Sequence, residues 1–225
     1  MPITTVDEDL VRYTTFTNVD GAMSAGIGTF FNKQIKRETY ELRFRGGVNT
    51  SYNKNIGFIN GEKYQANRYG INPNIRFSYV IDEVLDINPN YSLNYTTSSY
   101  DISSNRDEEA TNHRIGLETT TYWPKNLIFG NDISYNRFGN VSPGFDNTSI
   151  LWNLSLGYQF LDENATVKVN VYDLLDQNVD TRRIIGDDFI QDTRSLILTR
   201  YAMLSFTYKL NNLGGNQNDR GGRRR

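Results

Sequence analysis

A chain of 225 residues, 37% hydrophobic and with a net charge of −2, can form one domain but holds no run near the roughly 18 apolar residues of a membrane helix. Without cysteine it builds neither a disulfide framework nor a thiolate zinc site, and its balanced charge offers nucleic acid no electrostatic footprint. What remains open is an all-β chain, and 15 Tyr with 12 Phe favour strands.

The opening MPITTVDEDLVRY lacks the basic start and apolar core of an export signal, so residues 1–10 read as a lead-in. A first strand is expected over Val11–Val19, a tight turn at Asp20-Gly21 and a second strand over Ala22–Phe31. Thr39–Asn53 alternates: Tyr40, Leu42, Phe44 and Val48 share one face, Glu41, Arg43 and Arg45 the other. Burying that charge in a dry core is costly, whereas a water-filled lumen takes it cheaply. Asn55–Asn67 reads as a loop.

Tyr69–Ile81 alternates again, and after a break at Asp82–Leu85 so does Ile87–Tyr95. Pro73 and Pro89 lie inside these strands, and because proline has no N–H to donate, each implies a bulge or a local fault. Ser98–Ala110 is polar and reads as a loop; His113–Trp123 is a strand, 123–126 (WPKN) a short turn, Leu127–Phe138 a strand and Gly139–Thr148 a loop.

Ile150–Leu161 shows the pattern best. Ile150, Trp152, Leu154, Leu156, Tyr158 and Phe160 form one face; Leu151, Asn153, Ser155, Gly157 and Gln159 lie on the other. A strand of about ten residues, aromatic near its ends and polar on its second face, is what a membrane-spanning β-strand needs. Thr166–Leu174 follows, then a long irregular segment over Leu175–Thr199 and a last strand over Arg200–Leu210. The Gly/Arg-rich tail, 211–225, is expected to be disordered. Connections alternate short and long, the rim asymmetry of an outer-membrane barrel with its short turns periplasmic. The expectation is about ten antiparallel, up-and-down transmembrane strands over 11–210, part of a larger barrel placed in the outer membrane against its lipid, with long loops extracellular and the C-terminus periplasmic. The alternatives are a small self-contained outer-membrane barrel acting as adhesin, pore or rim-site enzyme, and a soluble ligand-binding β-barrel.

Glu41, Arg43, Arg45, Arg76, Arg114, Glu118, Asp132 and Lys168 fall on the polar faces and are candidates to line a lumen. They serve either as a charged substrate path or as a wet wall touching a plug. Trp123, Trp152, Tyr158 and Tyr208, with Tyr79 and Tyr95, are candidate interfacial anchors. His113 is the only histidine; with no legible nucleophile or second catalytic pair it reads as a rim residue, and no enzyme activity is expected. Asp187, Asp188 and Asp192 do not match the spacing of an EF-hand loop, so no metal or other cofactor is expected.

At the C-terminal end VYDLLDQN (Val171–Asn178) and LTRYAMLSFTYKL (Leu198–Leu210) resemble the end of the outer-membrane β-barrel family of Bacteroidetes, relatives of TonB-dependent receptors and SusC-like transporters. Ser51–Tyr95 is similar to late barrel strands and an extracellular loop of that group. The resemblance implies a nutrient transporter of about twenty-two strands, of which this chain holds the C-terminal part. It also implies as partners the N-terminal strands and plug domain, a TonB-type energiser and a surface lipoprotein.

Overall fold

A computed structural model of the chain describes residues 2–6, 11–18, 20–59, 61–102, 107–140, 147–177, 180–185, 190–195 and 199–209. The described residues contain no helix. The strands are β1 (Pro2–Val6), β2 (Arg12–Phe16), β3 (Met23–Lys36), β4 (Glu41–Ile59), β5 (Glu62–Ile81), β6 (Leu85–Tyr100) and β7 (Glu108–Thr121). They continue with β8 (Leu127–Gly139), β9 (Thr148–Phe160), β10 (Ala165–Tyr172), β11 (Asp180–Ile185), β12 (Ile190–Ser195) and β13 (Tyr201–Tyr208).

Among the described residues, nine strands form one antiparallel, up-and-down sheet in the order β3-β4-β5-β6-β7-β8-β9-β10-β13. The strand expected over Val11–Val19 is not its first member. Its central part is β2, which forms a hairpin with β1 inside the expected lead-in. This hairpin joins β4 in parallel at Ile3↔Phe58 and Thr4↔Ile59, just past the point where β3 begins opposite Lys54. The irregular segment expected over Leu175–Thr199 contains a second hairpin, β11–β12. The tail expected over 211–225 lies outside the described residues.

The β4–β5 hairpin corrects the largest expected loop. Its ladder runs unbroken from Glu41↔Val80 to Ile59↔Glu62, so Asn55–Asn67 is strand on both sides of a turn where Gly61 adopts φ +83°. A membrane-crossing strand needs about 9–11 residues, and these have 19 and 20. The excess projects past the opposite rim from the short turns. There both faces meet water, so the hydrophobic alternation that marks a strand in sequence is absent. The projection is held by Tyr64, Ala66 and Ile102, packed with Tyr100, and by the Gln65 amide, which donates to Asp101 Oδ1 at 2.6 Å. Gly57 lets the Tyr64 ring lie against the backbone: a Cβ there would sit 2.6 Å from it.

Pro73 and Pro89 produce faults but no bulge. Between β5 and β6 the pairing lapses beside each proline, yet Ile71↔Tyr95, Asn74↔Ser92, Arg76↔Asn90 and Tyr79↔Ile87 keep a single register. A bulge would have shifted that register by one residue. Next to Pro89 a side-chain bond stands in for the missing pair, with Ser78 Oγ donating to Asn88 Oδ1 at 2.6 Å.

The connections over residues 37–40, 82–84, 122–126 and 161–164 are short and lie on one rim. The opposite rim carries the projecting hairpin and the connections over 101–107, 140–147 and 173–200. The last of these is anchored at its base by the VYDLLDQN residues. Asp173, 2% exposed, has φ +51°; its amide donates to Asn153 Oδ1 and its carboxylate accepts from the Gln177 amide, both at 3.0 Å. Asp176 accepts from the Arg200 amide at 3.0 Å, and the Arg200 guanidinium donates to the Leu174 carbonyl at 3.4 Å. The two stretches that carried the resemblance thus pin the two ends of one long loop.

Candidate functional site: the two faces of the sheet

Register assigns every side chain of the sheet to one of two faces. The first is apolar and continuous across the strands: Phe44, Phe77, Tyr91, Leu117, Ile133, Trp152, Val171 and Ala202 lie on it, each placed by direct pairing or by alternation along its strand. Aromatic residues gather toward its two ends. Near the short rim are Tyr79, against Tyr40 with ring centroids 5.9 Å apart, and Tyr158, Phe160, Phe206 and Tyr208. Trp123, expected as the last residue of its strand, lies in the short turn itself, 73% exposed and two residues past the strand end at Thr121. Toward the other end are Tyr52 and Tyr69, with ring centroids 4.8 Å apart, and Tyr95.

The spacing of these belts can be compared with a membrane. Tyr69 and Tyr79 are ten residues apart on β5. At roughly 3.4 Å per residue and a tilt of about 45° they differ in height by about 24 Å, against an apolar band of about 25 Å in outer-membrane barrels.

Trp152 lies part-way along the same face. Its Nε1–H donates to Asn131 Oδ1 at 2.6 Å, so two polar groups on an apolar surface satisfy each other. His113 is on this face too, directly opposite Arg137, with the Tyr91 hydroxyl 3.0 Å from its Nδ1. Among the described residues no cluster of His, Asp or Glu could hold a metal ion. Asp187 and Asp188 lie outside the described residues, and Asp192 stands opposite Arg183 in the backbone register of the β11–β12 hairpin.

The second face is polar. Glu41, Arg43, Arg45, Arg76, Arg114, Glu118, Asp132 and Lys168 all lie on it, among Asn49, Asn72, Asn90, Ser92, Ser155 and Asn170. Glu41 and Arg43 form an ion pair two residues apart on β4. Arg45, Arg76, Arg114, Glu118 and Asp132 come together in one groove of about 450 Å³. Lys168 stands apart on β10, opposite Gly157 and Ser205.

Some members of this face were not singled out by sequence reasoning. Asn90 and Ser92 lie in the groove. Tyr172 and Tyr201 stack with centroids 4.7 Å apart. Asn153 reaches both Asp132, at 3.5 Å, and the Asp173 amide. Cross-strand register brings them together, and only the period-2 pattern hinted at their shared face. On the short rim the Tyr122 hydroxyl donates to Asp86 Oδ2 at 3.1 Å. Burial first, then that bond and the charge of Asp86, push the Tyr122 phenol above its usual range.

An apolar face with aromatic belts, a charged second face and one rim of short turns define a membrane-spanning β-barrel sheet. Residues 63–208, from β5 to the end of β13, match the outer membrane protein beta-barrel family. The match covers more than half of the chain, and the chain belongs to that family. It is an outer-membrane β-barrel protein. No curated protein matches the chain.

Proposed function

We propose that the chain is the C-terminal barrel portion of a TonB-dependent-receptor-like transporter for nutrient uptake, of the Bacteroidetes type that VYDLLDQN and LTRYAMLSFTYKL resemble. One observation carries this reading: among the described residues β3 and β13, the outer strands of the nine-stranded sheet, do not pair with each other. Lipid offers no partner to the free N–H and C=O groups of a sheet edge, so strands from elsewhere must cover both. Nine alternating strands also start and finish in the same direction, so closing this sheet on itself would need a parallel seam. Bacterial single-chain barrels have even strand numbers and none. An odd number of further strands removes the problem, and a barrel of about twenty-two supplies one.

In this reading the polar face lines the lumen, the rim with the projecting β4–β5 hairpin is extracellular and β13 ends in the periplasm. The chain catalyses nothing and holds no cofactor. Its partners are outer-membrane lipid, the remaining strands and plug, a TonB-type energiser and a surface lipoprotein.

The test is disulfide cross-linking in native membranes. Ile27→Cys on β3 and Leu204→Cys on β13 both project from the apolar face. A panel of such pairs along the two edges should give no disulfide within the nine strands. Efficient cross-linking of one pair in a single register would mean a small closed barrel and sink the proposal.

A further inference from the structure

We propose that the groove flanked by Arg45 and Arg76 on one side and Glu118 and Asp132 on the other binds a dipolar solute, its anionic group on the arginines and its cationic group on the carboxylates. This rests on the luminal reading of the polar face and adds to it the kind of molecule that the wall receives.

The starting observation is an electrostatic cost incurred twice. Arg45 lies directly opposite Arg76 on β4 and β5, and Glu118 lies directly opposite Asp132 on β7 and β8. Like charges directly opposite each other across a strand pair destabilise a sheet. Yet among the described residues, none of these four side chains, nor Arg114 beside them, forms an ion pair. The two pairs do not neutralise each other because β6 lies between them. From β5 to β7 is two strand spacings, about 10 Å.

The strip between them is cleared. Gly116 stands opposite Asn90, and a Cβ there would come within 2.7 Å of the Asn90 amide. Glycine lets that amide lie flat across the floor, where with Ser92 it offers neutral hydrogen-bonding groups between the charged walls.

A single inorganic anion would relieve the arginine pair and leave the carboxylates repelling; a single cation would do the reverse. One molecule with opposite charges several ångströms apart relieves both. Charge-assisted contacts at its two ends would also fix its direction in the groove.

These 225 residues hold no cysteine, so an introduced thiol is the sole reporter within them, and any cysteine in the remaining strands or plug is first replaced by serine. The full protein in detergent or membranes carries Ser92→Cys as a reporter in the groove, with Leu117→Cys on the apolar face as control, and a charged methanethiosulfonate reagent reads accessibility. Ser92→Cys should react and Leu117→Cys should be shielded. The reverse pattern would overturn the luminal reading and the site with it. With that established, 6-aminohexanoate, hexanoate and hexylammonium are compared as protectants of Ser92→Cys. The dipolar compound should protect at about tenfold lower concentration than either singly charged one, the ratio for losing one contact of about 1.4 kcal/mol. Arg76→Gln and Glu118→Gln should each erase that advantage while leaving Ser92→Cys reactive. Equal protection by hexanoate, or protection by none of the three, would overturn the dipolar site while the luminal reading stands.

Discussion

The two faces of the sheet are made by the same strands, residue by alternate residue, and differ in almost everything else. On the apolar face polar groups are few, and Trp152 and Asn131 satisfy each other across β8 and β9. On the polar face like charges oppose each other without a counter-ion among the described residues, as Arg45 and Arg76 do. The first face behaves as a surface where a stray polar group is expensive, the second as one where water is always at hand. The difference locates the solvent: hydrocarbon on one side of a single layer of backbone and water on the other, with no packed core between.

The comparison is most readily broken by putting charge on the wrong face. Leu154→Arg, placed mid-strand between Val171 and Asn131, should cost about 2–4 kcal/mol, the penalty for arginine near the bilayer midplane. Denaturant titration of the protein folded in lipid vesicles measures it, and an unchanged midpoint would reverse the face assignment. Trp152→Phe removes the donor to Asn131 and strands an amide in an apolar setting, at about 1–3 kcal/mol in the same titration. Gly46→Ala should cost about 1 kcal/mol, within the overpacking range, because its Cβ would meet the Phe31 ring at 2.5 Å and the exposed ring can swing aside. Arg76→Gln on the polar face should have the smallest effect and the opposite sign, a gain of about 0.2–1 kcal/mol as one like-charge pair disappears. A large loss there would mean that the arginine pair is already compensated from outside the sheet.

What the sequence made legible follows from the same contrast. Within the membrane the two solvents differ most, so alternation is strong: Ile150–Leu161 is readable to within two residues of its paired span, and Tyr69–Ile81 is right at its C-terminal end but begins seven residues late. Past the membrane both faces are wet. There β4 and β5 continue through Lys54, Asn55, Lys63, Gln65 and Asn67 with no hydrophobic period, and the text of the chain looks like a loop. The signal that remained was Asn60-Gly61, the dipeptide of a two-residue hairpin turn, standing in INGE. The candidate lumen residues were each placed on the polar face by parity alone. Their grouping was not legible, because that Glu118 meets Asp132, or Arg45 meets Arg76, depends on register between strands, and register is fixed by turn geometry and packing rather than by any one strand's pattern.

The prolines of β5 and β6 give the wall a mechanical character. Both interruptions fall on the same seam, and the side-chain bond from Ser78 to Asn88 spans the gap beside Pro89. A sheet missing rungs along one line is more compliant across that line than beside it, so amides flanking the seam should exchange with solvent ahead of their neighbours on β7 and β8. The seam runs between Arg45 and Arg76 on β4 and β5 and Glu118 and Asp132 on β7 and β8. Flexing there would widen or narrow the space between the two charged walls, as a fold in stiff card sets the angle of its leaves.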